Sequence, residues 1–100
     1  LFQAISLDLE QTEEVINEAI ILLLAVKADA KEQDNRYYEM ESLYILASSY
    51  NFIGQLYDKS AYKNALVQLD EYQSLTVDEN TPKRSEEINR MIEFAQLNLE

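Results

Sequence analysis

An all-α domain of antiparallel helical hairpins, about four helices in number, is the fold class that the sequence predicts. Glycine and proline each occur once in 100 residues, as Gly54 and Pro82. Such a scarcity of helix breakers favours long helices with short connections, because a sandwich or a barrel needs many turn residues. Apolar residues also recur at helical spacing along most of the chain. We assign residues 1–100 to a single domain, either complete or as a fragment of a longer protein.

Two helices are predicted in the first half of the chain. The first helix extends from about residue 6, or earlier, to about residue 31, and the second helix covers about residues 36–57. Asp34 and Asn35 interrupt the apolar pattern and are suited to cap the second helix. The connection is short, so we expect the two helices to pack as antiparallel neighbours.

Two further helices are predicted in the second half. The third covers about residues 61–75 and the fourth about residues 82–98. The polar stretch 76–81 between them is predicted to form a turn, in which Thr81 caps the fourth helix and Pro82 occupies its first turn. The fold is therefore either a repeat-like array of helical hairpins or a plain four-helix bundle.

The first helix differs from the others because its own apolar residues occur on all of its sides. Ile20, Ile21, Leu22, Leu23 and Leu24 point in all directions around a helix, and such a segment must be covered on more than one side. Either the helix is central in the domain, or a dimer partner or a preceding helix covers it. The candidate residues for an oligomer interface are Ile20, Ile21, Leu22 and Leu24.

One helical hairpin in the middle of the chain has a pattern of aromatic and small residues. The second helix carries it as Tyr50, Ile53, Gly54 and Tyr57, and the third helix continues it with Ala65 and Leu69. Over about residues 47–79 this pattern resembles a tetratricopeptide repeat, in which the small residue lets two helices approach closely. Tyr72 departs from the family, which has a small residue there, and Val77 stands where the family usually has proline. No second copy is visible at a period of about 34 residues.

The resemblance implies a function in protein binding, on the face built mainly by the first helix of each repeat unit. Ser48, Asn51 and Gln55 are the residues that this reading places on the binding face, and their side chains can hydrogen-bond an extended peptide. The face contains no Lys or Arg, so a clamp for a terminal carboxylate is not expected. Tyr37 and Tyr38 are adjacent and cannot both face one core, so we also assign them to the candidate partner-binding residues.

A net charge of −11 restricts the kinds of partner. An acidic surface repels phosphate backbones and anionic lipids, so we expect neither nucleic acid nor a membrane. A protein or peptide partner is expected to be basic or neutral rather than acidic. No apolar run reaches the roughly 20 residues that span a bilayer, and no signal-peptide pattern is present. A cytoplasmic location is favoured, although a secreted form whose signal has been removed stays open.

The absence of histidine and cysteine restricts the chemistry. Imidazole bases, thiol nucleophiles and thiolate zinc sites are all excluded. Carboxylates alone remain, so we assign no catalytic, metal or cofactor-binding residue and expect a protein that is not an enzyme. The sequence favours a non-enzymatic interaction module that binds a peptide or protein segment on a helical face. The alternative is a structural bundle that self-associates, as a homodimer, through its apolar first helix.

Overall fold

Four α-helices make up the regular structure of the described part of the chain. The computed structural model describes the backbone of residues 2–75 and 82–99, and the side chains of residues 11–75 and 84–99. The helices are α1 (Phe2–Glu32), α2 (Arg36–Leu56), α3 (Ala61–Leu75) and α4 (Pro82–Leu99). The predicted all-α class, with four helices arranged as hairpins, is confirmed. The predicted turn over residues 76–81, with its cap at Thr81, lies outside the described residues.

A short capped turn joins α1 to α2. Asp34 adopts a left-handed conformation with φ 55°, and the backbone N–H of Asn35 donates to the carbonyl of Ala30 at 2.8 Å. This geometry ends α1 with its last carbonyls satisfied. The Asn35 side chain then accepts a hydrogen bond from the backbone N–H of Tyr38 at 3.3 Å and so caps α2, as predicted.

The α2–α3 hairpin is closest at Gly54. A Cβ atom at this position would lie 2.7 to 2.9 Å from three ring atoms of Tyr62. The Tyr62 side chain is 3% exposed and meets the ring of Phe94 edge-on, with centroids 5.7 Å apart. A Cβ atom here would require the Tyr62 ring to shift, and the buried ring is confined by its contact with Phe94. Gly54 is therefore the close-approach point between these helices that the sequence predicts.

The helices α2 and α4 lie side by side and run in the same direction. Tyr44 near the middle of α2 donates from its hydroxyl to Glu87 at 3.0 Å. One to two turns further along both helices, the Nδ2 atom of Asn51 donates to the Met91 carbonyl at 3.4 Å. Both contacts advance together along the chain, so the two helices are parallel.

The helices α1 and α3 also run parallel and meet through side chains, although in the described ranges none of their Cα atoms lie within 8 Å of each other. The Nζ atom of Lys27 donates to Gln68 at 2.9 Å and lies 3.5 Å from a carboxylate oxygen of Glu71. Nearer the starts of the two helices, Asn17 and Asn64 line the same groove. The four helices thus form two layers, with α1 and α3 in one and α2 and α4 in the other.

The arrangement is open, because its first and last helices are apart. In the described ranges, no Cα atom of α1 lies within 8 Å of one in α4, whereas a closed up-down bundle brings these two helices together. Centrality of α1, one of the alternatives that the sequence left open, is therefore wrong. The helix occupies the edge of the array, and Ile21 and Leu22 are 66% and 67% exposed.

Two apolar clusters form the core on the two sides of α2. One joins α2, α3 and α4, and its buried members are Leu43, Ala47, Leu69, Tyr72 and Ile88. The other joins α1, α2 and the start of α3, and its buried members are Ile20, Leu46, Ile53 and Ala61. Both clusters include residues of α2, so α2 is the central element of the fold.

Candidate interaction surface

A shallow apolar groove lies on the outer side of the α1–α2 hairpin. Val15 of α1 and Phe52 of α2 line it together with Gln11, Thr12 and Ile16, and its volume is about 360 Å³. Val15 and Phe52 are both exposed. Apolar side chains that face each other across an exposed groove are typical of a binding surface, because water is readily displaced from them.

The helical register extends this groove along both helices. The two helices are antiparallel, so a step of seven residues forward in α1 matches a step of seven back in α2. From Val15 opposite Phe52, one such step predicts that Leu22 lies opposite Ile45. Both side chains are exposed. We call this surface the α1–α2 groove: Val15 and Phe52 line it, and the helical register predicts that the exposed Leu22, Val26, Ile45 and Leu56 continue it.

The sequence of α2 explains why one helix has two apolar faces. Leu46 and Ile53, seven residues apart, are buried against α1. Ile45 precedes Leu46 and Phe52 precedes Ile53. One residue corresponds to a rotation of about 100° around the helix axis. That rotation carries Ile45 and Phe52 out of the core and onto the surface of the hairpin.

Charge is distributed unequally along the two rims of the groove. On α1, Glu18 is exposed and lies on the helix surface between Val15 and Leu22, and the exposed Asp29 lies one turn beyond Val26. These side chains make the α1 rim acidic.

On α2, the corresponding rim is polar and nearly neutral. Ser48 lies between Ile45 and Phe52, and Gln55 follows one turn later. The nearest acid on this rim is Glu41, whose carboxylate lies 3.6 Å from a guanidinium nitrogen of Arg84. An approaching helix therefore meets acid on one side and uncharged polar groups on the other.

Apart from Arg84, which pairs with Glu41 at the α2 rim, the basic residues with described ion pairs lie away from the groove. Lys27 and Lys31 of α1 lie 3.5 and 3.8 Å from Glu71 of α3, on the other side of α1. On α4, Arg90 pairs with Glu86 at 3.4 Å. The acidic rim formed by α1 is consequently not compensated by these cations.

The position of Asn51 corrects the predicted binding face. Its side chain is 8% exposed and packs between α2 and α4, where it donates to the carbonyl of Met91. The prediction had treated this side of α2 as a surface, but α4 covers it. Asn51 is therefore not accessible to a peptide, and the polar stripe is interrupted at its middle.

The other residues predicted on α2 are exposed. Ser48 and Gln55 lie on the rim of the α1–α2 groove, and Tyr37 and Tyr38 are 68% and 58% exposed at the start of the helix. The two tyrosine rings contact each other edge-on at 5.5 Å. Their role in binding a partner stays a prediction.

The residues predicted for an oligomer interface separate into three groups. Ile20 is buried in the core cluster with Leu46. Leu22 is exposed in the α1–α2 groove, and Ile21 is exposed 100° away from it around the helix. Leu24 is 38% exposed, on the side of α1 that turns from the groove. Because Ile20 is buried, the four residues do not all lie on the surface, and a role of the other three in self-association stays a prediction.

Sequence reasoning missed most of the groove. The prediction assigns Ser48, Asn51 and Gln55 of α2 to the binding face and gives no role to Ile45 and Phe52. Their spacing of seven residues, together with the same spacing of Val15 and Leu22 in α1, is a signal that could have revealed them.

A polar cluster connects the layer of α2 and α4. The guanidinium carbon of Arg84 lies 4.2 Å from the centroid of the Tyr44 ring. The hydrogen bond from Tyr44 to Glu87, followed by burial, raises the pKa of the Tyr44 hydroxyl above its ordinary value of 10.0. Burial likewise raises the pKa of Tyr50 and Tyr72. These groups stabilise the packing of the helices, and none of them lines the α1–α2 groove.

Among the described residues, neither a metal site nor a membrane span is found. They contain no group of three or more acidic side chains arranged to hold a metal ion, and none of their helices is long and apolar enough to cross a membrane. The chain matches no protein-family model, no curated protein and no solved structure. Of the grooves among the described residues, the α1–α2 groove has the most apolar lining, and we take it as the candidate site.

Proposed function

We propose that this protein is a non-enzymatic interaction module that binds a segment of another protein in the α1–α2 groove. The observation that carries the proposal is the apolar character of this exposed surface, on which Leu22 is 67% and Phe52 is 45% exposed. Burying such side chains against a partner contributes about 1.5–3 kcal/mol for each large aliphatic or aromatic residue. The rims supply polar groups that set orientation, as in a typical interface.

The resemblance to a tetratricopeptide repeat is part of the same proposal. The close approach at Gly54 and the open array with parallel α2 and α4 support it. The sequence separation of the parallel helices α2 and α4 differs from the family's, since Tyr44 and Glu87 are 43 residues apart and Asn51 and Met91 are 40 apart. The family period is about 34 residues. We therefore propose kinship in architecture, with a longer unit than in the family.

Site-specific photo-crosslinking in cells tests the proposed function. Phe52→p-benzoylphenylalanine places a crosslinker in the groove, and the same replacement of Val67, an exposed apolar residue of α3, is the control. We expect a defined protein to crosslink from position 52 and not from position 67.

The crosslinked protein is then purified for a binding measurement with two matched variants. Leu22 and Ile21 are almost equally exposed on the same helix, but only Leu22 lies in the groove. We expect Leu22→Gln to lower the affinity by about tenfold or more, and Ile21→Gln to leave it unchanged. Equal effects of the two substitutions, or no effect of either, would rule out the groove as the binding site.

Self-association through α1 is the second candidate function. It is favoured by the exposure of Ile21 and Leu22, which a second copy would cover. Sedimentation equilibrium of the protein and of its Ile21→Gln and Leu22→Gln variants distinguishes the two functions. A dimer that either substitution dissociates would support self-association, and a monomer at high micromolar concentration would exclude it.

A further inference from the structure

We propose, on the basis of the function proposed above, that the partner segment is an amphipathic helix that runs parallel to α2 and carries Lys or Arg on the flank facing α1. Docking of such a helix would extend the two-layer array by one element at its α1 edge.

The direction follows from the way the protein packs its own last helix. On one side of α2, α4 lies parallel to α2 and packs against α3, with Ile88 and Ala95 2% and 0% exposed. The α1–α2 groove offers a second pair of antiparallel helices, on which no helix of the described residues packs. A helix in this groove that runs parallel to α2 is antiparallel to α1. Such a helix would be parallel to one helix of its hairpin and antiparallel to the other, as α4 is parallel to α2 and antiparallel to α3.

The secondary structure follows from the length and shape of the surface. The apolar residues recur at intervals of seven on both walls, from Val15 to Leu22 and from Phe52 back to Ile45. A helix presents side chains at this repeat along one stripe. An extended peptide instead needs unpaired backbone groups or regularly placed polar side chains, and Asn51, the residue predicted for that role, is buried.

The charge follows from the asymmetry of the rims. Glu18 and Asp29 make the α1 rim acidic, whereas Ser48 and Gln55 make the α2 rim uncharged. A complementary helix therefore carries cations on one flank and neutral polar residues on the other. A second copy of this protein is a poor occupant, because it would bring its own Glu18 and Asp29 to the same rim.

A pair of synthetic helices tests the proposal. Each has 18 residues, the length of α4, a staple on its outer face that keeps it helical, and a leucine stripe. One carries lysine on the flank that faces α1 when the helix is parallel to α2, and the other carries glutamate there. Titration calorimetry at low salt should give an affinity at least about tenfold higher for the lysine peptide. Leu22→Gln in the protein should abolish this binding, and Ile21→Gln should preserve it.

The direction is read from spin labels on the lysine peptide. A label at its N-terminus should broaden the amide resonances of Asp29 and Tyr38, and a label at its C-terminus should broaden those of Val15 and Phe52. Equal affinity of the two peptides, indifference to Leu22→Gln or the reversed pattern of broadening would overturn the inference. If the crosslinked cellular partner still depends on Leu22 in those cases, the groove remains an interface and only the assigned partner chemistry is wrong.

Discussion

At the scale of single residues, Gly54 determines how closely α2 and α3 approach. We expect Gly54→Ala to destabilise the protein, because its Cβ would lie 2.7 Å from the ring of Tyr62. Overpacking of this kind costs about 1–3 kcal/mol, of which the better helix propensity of alanine returns about 1 kcal/mol. In a Tyr62→Leu background the same change should raise stability, since the ring is gone. Urea unfolding of the four proteins measures the coupling, and a Gly54→Ala protein at least as stable as the parent would contradict this account.

Asn51 provides a second test at this scale, because the structure removes it from the binding surface. Its Oδ1 atom is buried and makes no hydrogen bond among the described residues, a condition that costs about 1–3 kcal/mol. We expect Asn51→Leu to raise the free energy of unfolding by about 1 kcal/mol and to leave partner affinity unchanged. Gln55→Leu, at an exposed site, is the matched control for stability. A loss of partner affinity in Asn51→Leu, without a loss of stability, would show that this residue belongs to the binding face after all.

At the scale of helices, the contact between α2 and α4 depends on the protonation of Tyr44. Its pKa is raised, first by the hydrogen bond to Glu87 and then by burial. The folded state thus holds the proton more tightly than the unfolded state does. Its contribution to stability is complete below about pH 10 and is lost as the pH rises through the folded-state pKa.

The corresponding prediction is a fall in the free energy of unfolding above about pH 10. Tyr44→Phe should make this fall less steep, because it removes one hydroxyl whose pKa is raised in the folded state. Tyr37→Phe, at an exposed site, should leave the slope unchanged. Urea midpoints measured as a function of pH provide the comparison. Identical slopes in the parent and in Tyr44→Phe would show that the Tyr44 contact does not contribute.

The helices also show how far sequence reasoning reaches. The inward stripes of α2, α3 and α4 were predictable, because residues such as Leu43, Leu69 and Ile88 recur at helical spacing. The orientation of α1 was not, since apolar residues on all its sides define no stripe. The burial of Asn51 was not predictable either, because it depends on where α4, more than 30 residues later in the chain, comes to pack. The groove was not predictable for the same reason, because its existence depends on the relative position of two helices.

At the scale of the whole molecule, the net charge of −11 predicts how salt affects association. Screening shortens the Debye length from about 30 Å at 0.01 M to about 8 Å at 0.15 M. Binding of a basic partner should therefore weaken over this range, whereas any self-association of this acidic chain should strengthen. Calorimetry of the lysine peptide and sedimentation equilibrium of the protein alone measure the two trends. Partner binding that does not change with salt would contradict the role assigned to Glu18 and Asp29.

Methyl-group NMR distinguishes the α1–α2 groove from the rest of the surface as the site that binds the partner. One titration of the labelled protein with its purified crosslinked partner contains both the site and its controls. We expect the methyl signals of Val15, Leu22 and Ile45 to shift and to show contacts with the partner, while those of Val67 and Leu97, which are exposed on α3 and α4, stay unchanged. Shifts confined to Val67 and Leu97, with the groove signals unchanged, would contradict the account.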